Sequence, residues 1–496
     1  MAEAQTDQTK PNAASTHVGR GGLDLTSGPI AKTLLMFALP TLGSNILQSL
    51  NGSINTIWVG HYLGEAALAA TSNANIIMFL MFGAVFGFGM AATILIGQAM
   101  GRGDIEGARR AFGTAVGLVL GGAVVIAALG WVFAPQILRA LATPGDAFPL
   151  ALAYLRVIFL SLPASMLVVL LMMGLRGTGD STTPFWFMVL SVAIDAGLNP
   201  FLIAGIGPFP RMGIAGSATA TLIANHVSLV GVILYIYVRD LPLRLRGGEL
   251  GYLKPHGALV RTITAKGLPM GAQMLVMSSA GLAMAGLVNR QGVDSVAAYG
   301  VAQQLWTYIQ MPALAIGAAV SAMAAQNIGA GRWDRVDRIT RAGLATNLAL
   351  TGVMVAATTV FDRAVLGLFL GAGSPAMPIA EHIQLVAAWG FILFGATLVL
   401  FSTVRANGAV LAPLVMLFVS MYPVRLGFAA ALLPAWGADA LWWSFPVGSA
   451  ANLVMAVAYY RYGNWRRGAL LSPEPEQCEE QTHADAEPAG RMHPTG

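Results

Sequence analysis

The chain has 496 residues, 56% of them hydrophobic and only 10% charged, with a formal net charge of +5 at pH 7. A polypeptide this long and this apolar is an integral membrane protein, not a soluble one. None of its four lysines stands in a Gly-x-x-x-x-Gly-Lys-Ser/Thr setting, which excludes a Walker-type ATPase, and its single cysteine, Cys478, excludes a disulfide framework or a cysteine-ligated cluster.

Residues 1–29 are polar and rich in Ala, Thr, Asn and Gly, without the roughly 7–15-residue apolar run of a cleaved signal. They are expected to form a disordered cytoplasmic extension. From Ile30 to Tyr462 long apolar stretches follow one another, and since about 20 apolar residues cross a bilayer core, this region predicts twelve spans. They fall near 31–58, 66–98, 109–133, 148–172, 182–205, 214–238, 263–288, 296–328, 338–361, 378–403, 409–433 and 438–461. The stretches lack period-two alternation, so the fold class is all-α and not a barrel. Residues 468–496, with Pro473, Glu474, Pro475, Glu476, Glu479 and Glu480 among them, read as a second disordered cytoplasmic tail.

Basic residues concentrate in alternate loops: Arg102 to Arg110, Arg176, the stretch 239–266, Arg332 to Arg341, Arg405, and Arg461 to Arg467. The opposite loops carry only Arg139, Arg211, Arg290 and Arg363. The positive-inside rule therefore places both termini in the cytoplasm and the chain in the inner membrane, and it explains the net charge without a nucleic-acid partner. Trp58, Trp131, Trp436, Trp442, Trp443 and Trp465 lie near span ends, as expected of an interfacial aromatic belt.

The chain also repeats itself. Gln98-Ala-Met-Gly-Arg-Gly103 matches Gln326-Asn-Ile-Gly-Ala-Gly331, Leu39-Pro40 matches Leu268-Pro269, and Arg176-Gly-Thr-Gly179 with Pro184 matches Arg405-Ala-Asn-Gly408 with Pro413, in the same order and at an offset of 228 or 229 residues. Six spans separate equivalent positions, so the halves share one orientation and are related by a pseudo-two-fold axis along the membrane normal. This predicts a six-helix lobe over 30–238, a basic cytoplasmic linker over 239–262, a second six-helix lobe over 263–467, and a cavity between the lobes.

Ser191-Val-Ala-Ile-Asp-Ala-Gly-Leu-Asn-Pro200 carries the only acidic residue deep inside an apolar segment, Asp195. A carboxylate at that depth costs at least ~2.5 kcal/mol on insertion scales, and such residues usually face a bundle interior or a water-filled path. Asn199 stands one helical turn on, on the same face, and Pro200 removes a backbone donor beside it. The pattern predicts a proton- or sodium-coupling site; the simpler alternative is structural hydrogen bonding of Asp195 to Asn55 or Asn199. Arg156 reads as reaching toward the interface or a backbone carbonyl, Arg425 as a structural residue or an anion partner, and His226 as a packing residue. The series Met270, Met274, Met277 and Met284 reads as core packing, although flexible methionine surfaces also suit promiscuous binding.

With these residues in place the chain resembles the multidrug and toxic compound extrusion (MATE) family of cation-coupled efflux transporters. The resemblance is carried by Leu39-Pro40, Asn55-Thr-Ile-Trp-Val-Gly60, Leu63-Gly64, Ala67-Leu-Ala-Ala70, Gly97-Gln98, Tyr154-Leu-Arg156, Leu162-Pro163, Arg176-Gly-Thr-Gly-Asp180 and Gly213-Ile-Ala-Gly216, and it covers essentially all twelve spans. In the branch of the family with a cation site in the first lobe, an Asp typically stands where this chain has Asn55, and the fifth span has Asn before Asp where this chain has Asp195 before Asn199. The resemblance implies coupling by Asp195 with Asn199 and Asn55, and a kinking helix at Pro40. The expected substrate cavity includes Gln48, Asn73, Met274, Met277 and Gln303. The expected function is export of amphiphilic, often cationic, small molecules in exchange for H⁺, with Na⁺ second, and with no cofactor, no metal site, no enzymatic activity and a monomer embedded in lipid. A lipid-linked oligosaccharide flippase is the alternative.

Overall fold

The computed structural model describes residues 22–140, 143, 145, 147–367, 369–370 and 374–467; residues 1–21 and the tail 468–496 lie outside the described residues. The first half forms α1 (Ile30–Leu63), α2 (Glu65–Arg102), α3 (Ile105–Ala140), α4 (Phe148–Gly177), α5 (Thr182–Ala204) and α6 (Ile214–Val238). After a 3-10 turn at Gly247–Leu253, the second half forms α7 (Gly257–Asn289), α8 (Val293–Gly329), α9 (Trp333–Val360), the short α10 (Asp362–Leu366), α11 (Met377–Ala387), α12 (Gly390–Ala406), α13 (Leu411–Val419), α14 (Gly427–Trp436) and α15 (Asp439–Tyr462). Among the described residues, ten uninterrupted spans and the bent pair α11–α12 are long and apolar enough to cross a membrane. The 38-residue α2 completes the twelve. Helices are the form that satisfies every backbone donor and acceptor inside one segment, as a hydrocarbon environment requires.

Two of the spans are irregular. The tenth bends by 42° between α11 and α12, where Gly390 lets α12 come close to α15: a Cβ there would lie 3.1 Å from Pro446 Cα. In the eleventh, Ser420–Leu426 is a π-helical turn joining α13 to α14, and Pro423, which has no N–H to give, lies inside it. The repeated Gln-x-x-Gly-x-Gly motif closes α2 and α8, and its last glycine takes a left-handed backbone each time, with φ +77° at Gly103 and +71° at Gly331.

Within each lobe one helix is central: 67% of α4 and 78% of α8 is buried over the apolar window, against 17–28% for α1, α3, α5, α6, α7 and α9. Across the lobes α2 packs on α7 and α8, and α1 on α8. The lobes meet at the arginine-rich end of the bundle. There Gln98 Nε2 donates to Ala406 O at 2.7 Å and Gln326 Nε2 to Gly177 O at 3.0 Å.

Several expectations change. Residues 22–29, placed by composition in a disordered extension, pack across this closed end. Leu23 N donates to Gly179 O, Leu25 is fully buried, and Asn327, Arg332 and Arg335 donate to the carbonyls of Leu25, Thr26, Ser27 and Gly28. The segment is too polar to read as core, but its carbonyls accept from the buried Asn327 amide and from two arginines at the rim. Helix α7 begins at Gly257, inside the expected linker, because hydrogen bonding continues past the apolar stretch that marked its start. Trp442 and Trp465 are buried rather than interfacial: Trp442 stacks on Tyr299, and the Trp465 ring N–H bonds Tyr460 O.

Candidate functional site

Asn51 and Asn55 stand one turn apart on α1, Asp195 and Asn199 one turn apart on α5, and the two helices pack together, so the pairs interleave. Asp195 is 1% exposed and Asn199 fully buried. The side-chain amides of Asn51 and Asn55 both donate to Asp195 Oδ2 at 2.9 Å, Thr221 on α6 donates to Oδ1 at 3.1 Å, and Asn199 Nδ2 donates to Asn55 Oδ1 at 2.7 Å. The sequence had singled out Asp195, Asn199 and Asn55, and the structure brings the three together. It adds Asn51 and Thr221, which sequence reasoning missed. Asn51 carried a usable signal, being one turn before Asn55 on the same face. One turn beyond Thr221, Asn225 Nδ2 donates to Ser165 Oγ at 2.7 Å and Ser161 Oγ at 3.2 Å on α4, which extends the polar lane.

Every hydrogen bond to Asp195 thus comes from a neutral group. Two buried amide oxygens beside it, Asn51 Oδ1 and Asn199 Oδ1, have no donor. A buried carboxylate with neutral donors and idle acceptors around it has room for one positive charge, supplied by a proton or a cation.

Pro40 is not part of this cluster. It sits inside α1, roughly 16 Å along the axis from Asn51 at 1.5 Å per residue, and the helix runs through it, with Ser44 Oγ bonding Pro40 O. His226 is exposed, its Nδ1 against Leu222 O at 2.8 Å, and the Arg156 guanidinium lies 4.8 Å from the Trp131 ring.

A second feature occupies the other lobe. A cavity of about 440 Å³ lies among α7, α8, α11, α12, α15 and the π-helical turn. Met277 and Gln303 line it; Gln48 and Met274 do not, and the side chain of Asn73 lies outside the described residues. The wall is aromatic, from Tyr299, Trp306, Phe391, Phe394 and Phe445, with Gln303, Gln304 and Gln310 between the rings and, among the described residues, Arg425 as its one ionisable group apart from Tyr299.

Comparison with known proteins agrees with the repeat. A family model described as MatE matches the chain twice, over residues 40–201 and 269–430, two segments of equal length offset by 229. The probable multidrug resistance protein YoeA of Bacillus subtilis (strain 168) is 34% identical over 433 residues, covering 87% of this chain and 93% of that protein. The probable multidrug resistance protein YpnP of the same organism is 30% identical over 451 residues, covering 90% and 99%. A crystal structure of MATE in complex with MaL6 has the same fold, with a TM-score of 0.82 at 22% identity, covering 90% of this chain and 99% of that one.

Proposed function

The chain belongs to the MATE family of multidrug efflux transporters, and from that membership we propose that it is a secondary antiporter of the inner membrane, exporting amphiphilic compounds, cationic ones among them, in exchange for inward H⁺. The observation that supports the coupling reading is the Asp195 site: a carboxylate enclosed among neutral donors, next to two buried oxygens with nothing to accept. A proton on Asp195 cancels the buried charge and gives the carboxyl a hydrogen to donate to one of those oxygens. Na⁺ is the second choice, because a hard cation stripped of water wants about six oxygen ligands, and this site offers a single carboxylate and few amides.

The placement of the contacts supports the exchange reading. The lobes touch at the arginine-rich end, which the positive-inside rule assigns to the cytoplasm, while Asp195 and the cavity sit in the half nearer the opposite face. Protonation at Asp195 changes the packing of α1 against α5 and so biases which end of the bundle is closed, a population shift between two lobe arrangements. Solute and proton then occupy the open side in turn. The flippase reading is not favoured, since the relatives are named for multidrug resistance.

Proteoliposomes loaded with a cationic dye test this. An inward proton gradient is expected to drive dye export with no sodium present. Export driven by a sodium gradient alone, with none from a proton gradient, would replace H⁺ by Na⁺, and transport of a lipid-linked oligosaccharide without any dye would overturn efflux.

A further inference from the structure

We propose that the cavity of the second lobe binds the anionic group of an aromatic solute, a carboxylate or phosphate carried on a flat ring, with Arg425 as its counter-ion. This adds aromatic anions, bound at this cavity, to the substrates of the exporter proposed above and rests on that reading.

Arg425 stands near the middle of the eleventh span, in the π-helical turn, a form that recurs at functional sites. Its guanidinium carbon lies over the Phe445 ring, 3.6 Å from the centroid, and its Nη1 meets Met421 Sδ at 3.6 Å. A ring face and a thioether leave most of five N–H donors without an acceptor, and the enclosed Nε has none. Among the described residues no carboxylate lines the cavity. The acidic residues nearest in the chain to this wall lie at helix ends: Asp294 is exposed in the first turn of α8, Glu381 pairs with Arg363 and Asp439 with His382. An arginine at this depth without an anion is costly, and an intramembrane charge of this kind marks a binding or transport path.

The surroundings fit an aromatic anion. Trp306 stands 4.8 Å from Phe445 and 5.3 Å from Phe391, ring centroid to centroid, which gives an apolar wall for a flat ring system. The Tyr299 hydroxyl accepts from Gln303 Nε2 at 2.9 Å, so its own hydrogen remains to be donated. Gly448 helps set the position of the cation: a Cβ there would come 3.0 Å from Arg425 Cβ, a tight contact, so the glycine gives the arginine stem room against α15. The volume of about 440 Å³ is within the usual range for small-molecule sites. Cation, hydroxyl donor and aromatic wall together favour an arene carboxylate or phosphate and disfavour the matching ammonium. The repeat sharpens the point, since the 229-residue offset carries Asp195 to Val424, one residue from Arg425.

The test uses full-length protein in phosphatidylcholine nanodiscs, with no ion gradient, so that failure of proton coupling leaves it untouched. Binding of 1-naphthoate and of 1-naphthylmethylammonium, which share one ring system, is followed by tryptophan fluorescence. Naphthoate is expected to bind wild type more tightly by roughly tenfold or more, the scale of a charge-assisted hydrogen bond. Arg425→Gln is expected to lose that margin and Arg425→Lys to keep part of it. Tighter binding of the ammonium by wild type, or unchanged naphthoate affinity in a folded Arg425→Gln, overturns the proposal. Should Arg425→Gln fail to fold, the wild-type comparison of the two probes decides alone. Replacing part of the lipid with phosphatidylglycerol separates the two sources of an anion: persistence of naphthoate binding supports a solute, and its displacement assigns the site to a lipid phosphate and overturns the solute reading.

Discussion

At the arginine-rich end the two lobes match residue for residue. Gln98 reaches across to Ala406 O and Gln326 reaches back to Gly177 O, and Gly101 lies against the backbone of Gln326 as Gly329 lies against that of Gln98. At mid-depth the correspondence ends. The first lobe has Asp195, buried and held by three neutral donors; the second has Arg425, at nearly the equivalent position, stacked on Phe445 and facing a cavity. A duplicated lobe thus keeps the symmetric contact where its copies meet, since a change on one side must be answered on the other. The interiors face no such constraint, and they have taken opposite charges.

The largest expected effect comes from breaking that opposition on one side. Asp195→Asn keeps the shape and removes the charge, and should reduce gradient-driven export of every substrate to background while the protein still inserts; packing alone would survive the change. Combining it with Asn199→Asp puts the carboxylate one turn away, roughly 6 Å along α5, and is expected to restore part of the transport with a displaced pH optimum. Flux in reconstituted vesicles across a pH series checks both, and full transport by the single variant would end the coupling assignment.

The matched end is next. A Cβ at Gly101 would lie 1.9 Å from Gln326 O, and one at Gly329 would lie 2.0 Å from Gln98 O, both against backbone. Gly101→Val and Gly329→Val are expected to open this contact at a cost of about 1–3 kcal/mol each, seen as lower thermal stability and slower export. The two losses should be alike, and a large loss from one with none from the other would argue against a symmetric contact.

Smaller effects are expected around the carboxylate. Asn51→Leu removes one of the two donors to Asp195 Oδ2, at about 1–3 kcal/mol for the lost bond. Because that bond favours the ionised form, the pH profile of transport should move to higher pH; a move to lower pH would mean that Asn51 does not serve the carboxylate. Least of all, Gln98→Ala and Gln326→Ala should each cost about 1 kcal/mol of stability, equally, in a thermal-denaturation series.

The sequence reading follows what is written in single residues and fails where meaning depends on a partner. The twelve spans come from the length of the apolar runs, and the repeat from Gln98 and Gln326 with their glycines. Asp195 stood out because a lone acid in an apolar stretch is physically expensive. Asn51 and Thr221 did not, since uncharged polar residues are common in these helices and their link to Asp195 spans 144 and 26 residues of chain. Residues 22–29 looked disordered because nothing in a polar, glycine-containing segment shows that Asn327, Arg332 and Arg335 donate to its carbonyls. Arg425 was visible as a charge within a span, but only the folded wall of rings shows that no acid answers it.

The most direct measurement of the central claim is infrared difference spectroscopy of the reconstituted protein as pH is lowered, taken for wild type and Asp195→Asn side by side. A proton that binds Asp195 produces the carbonyl band of a protonated carboxyl that is present in wild type and missing from Asp195→Asn. Identical spectra from the two proteins through the pH range of transport would contradict the account and place the coupling proton elsewhere.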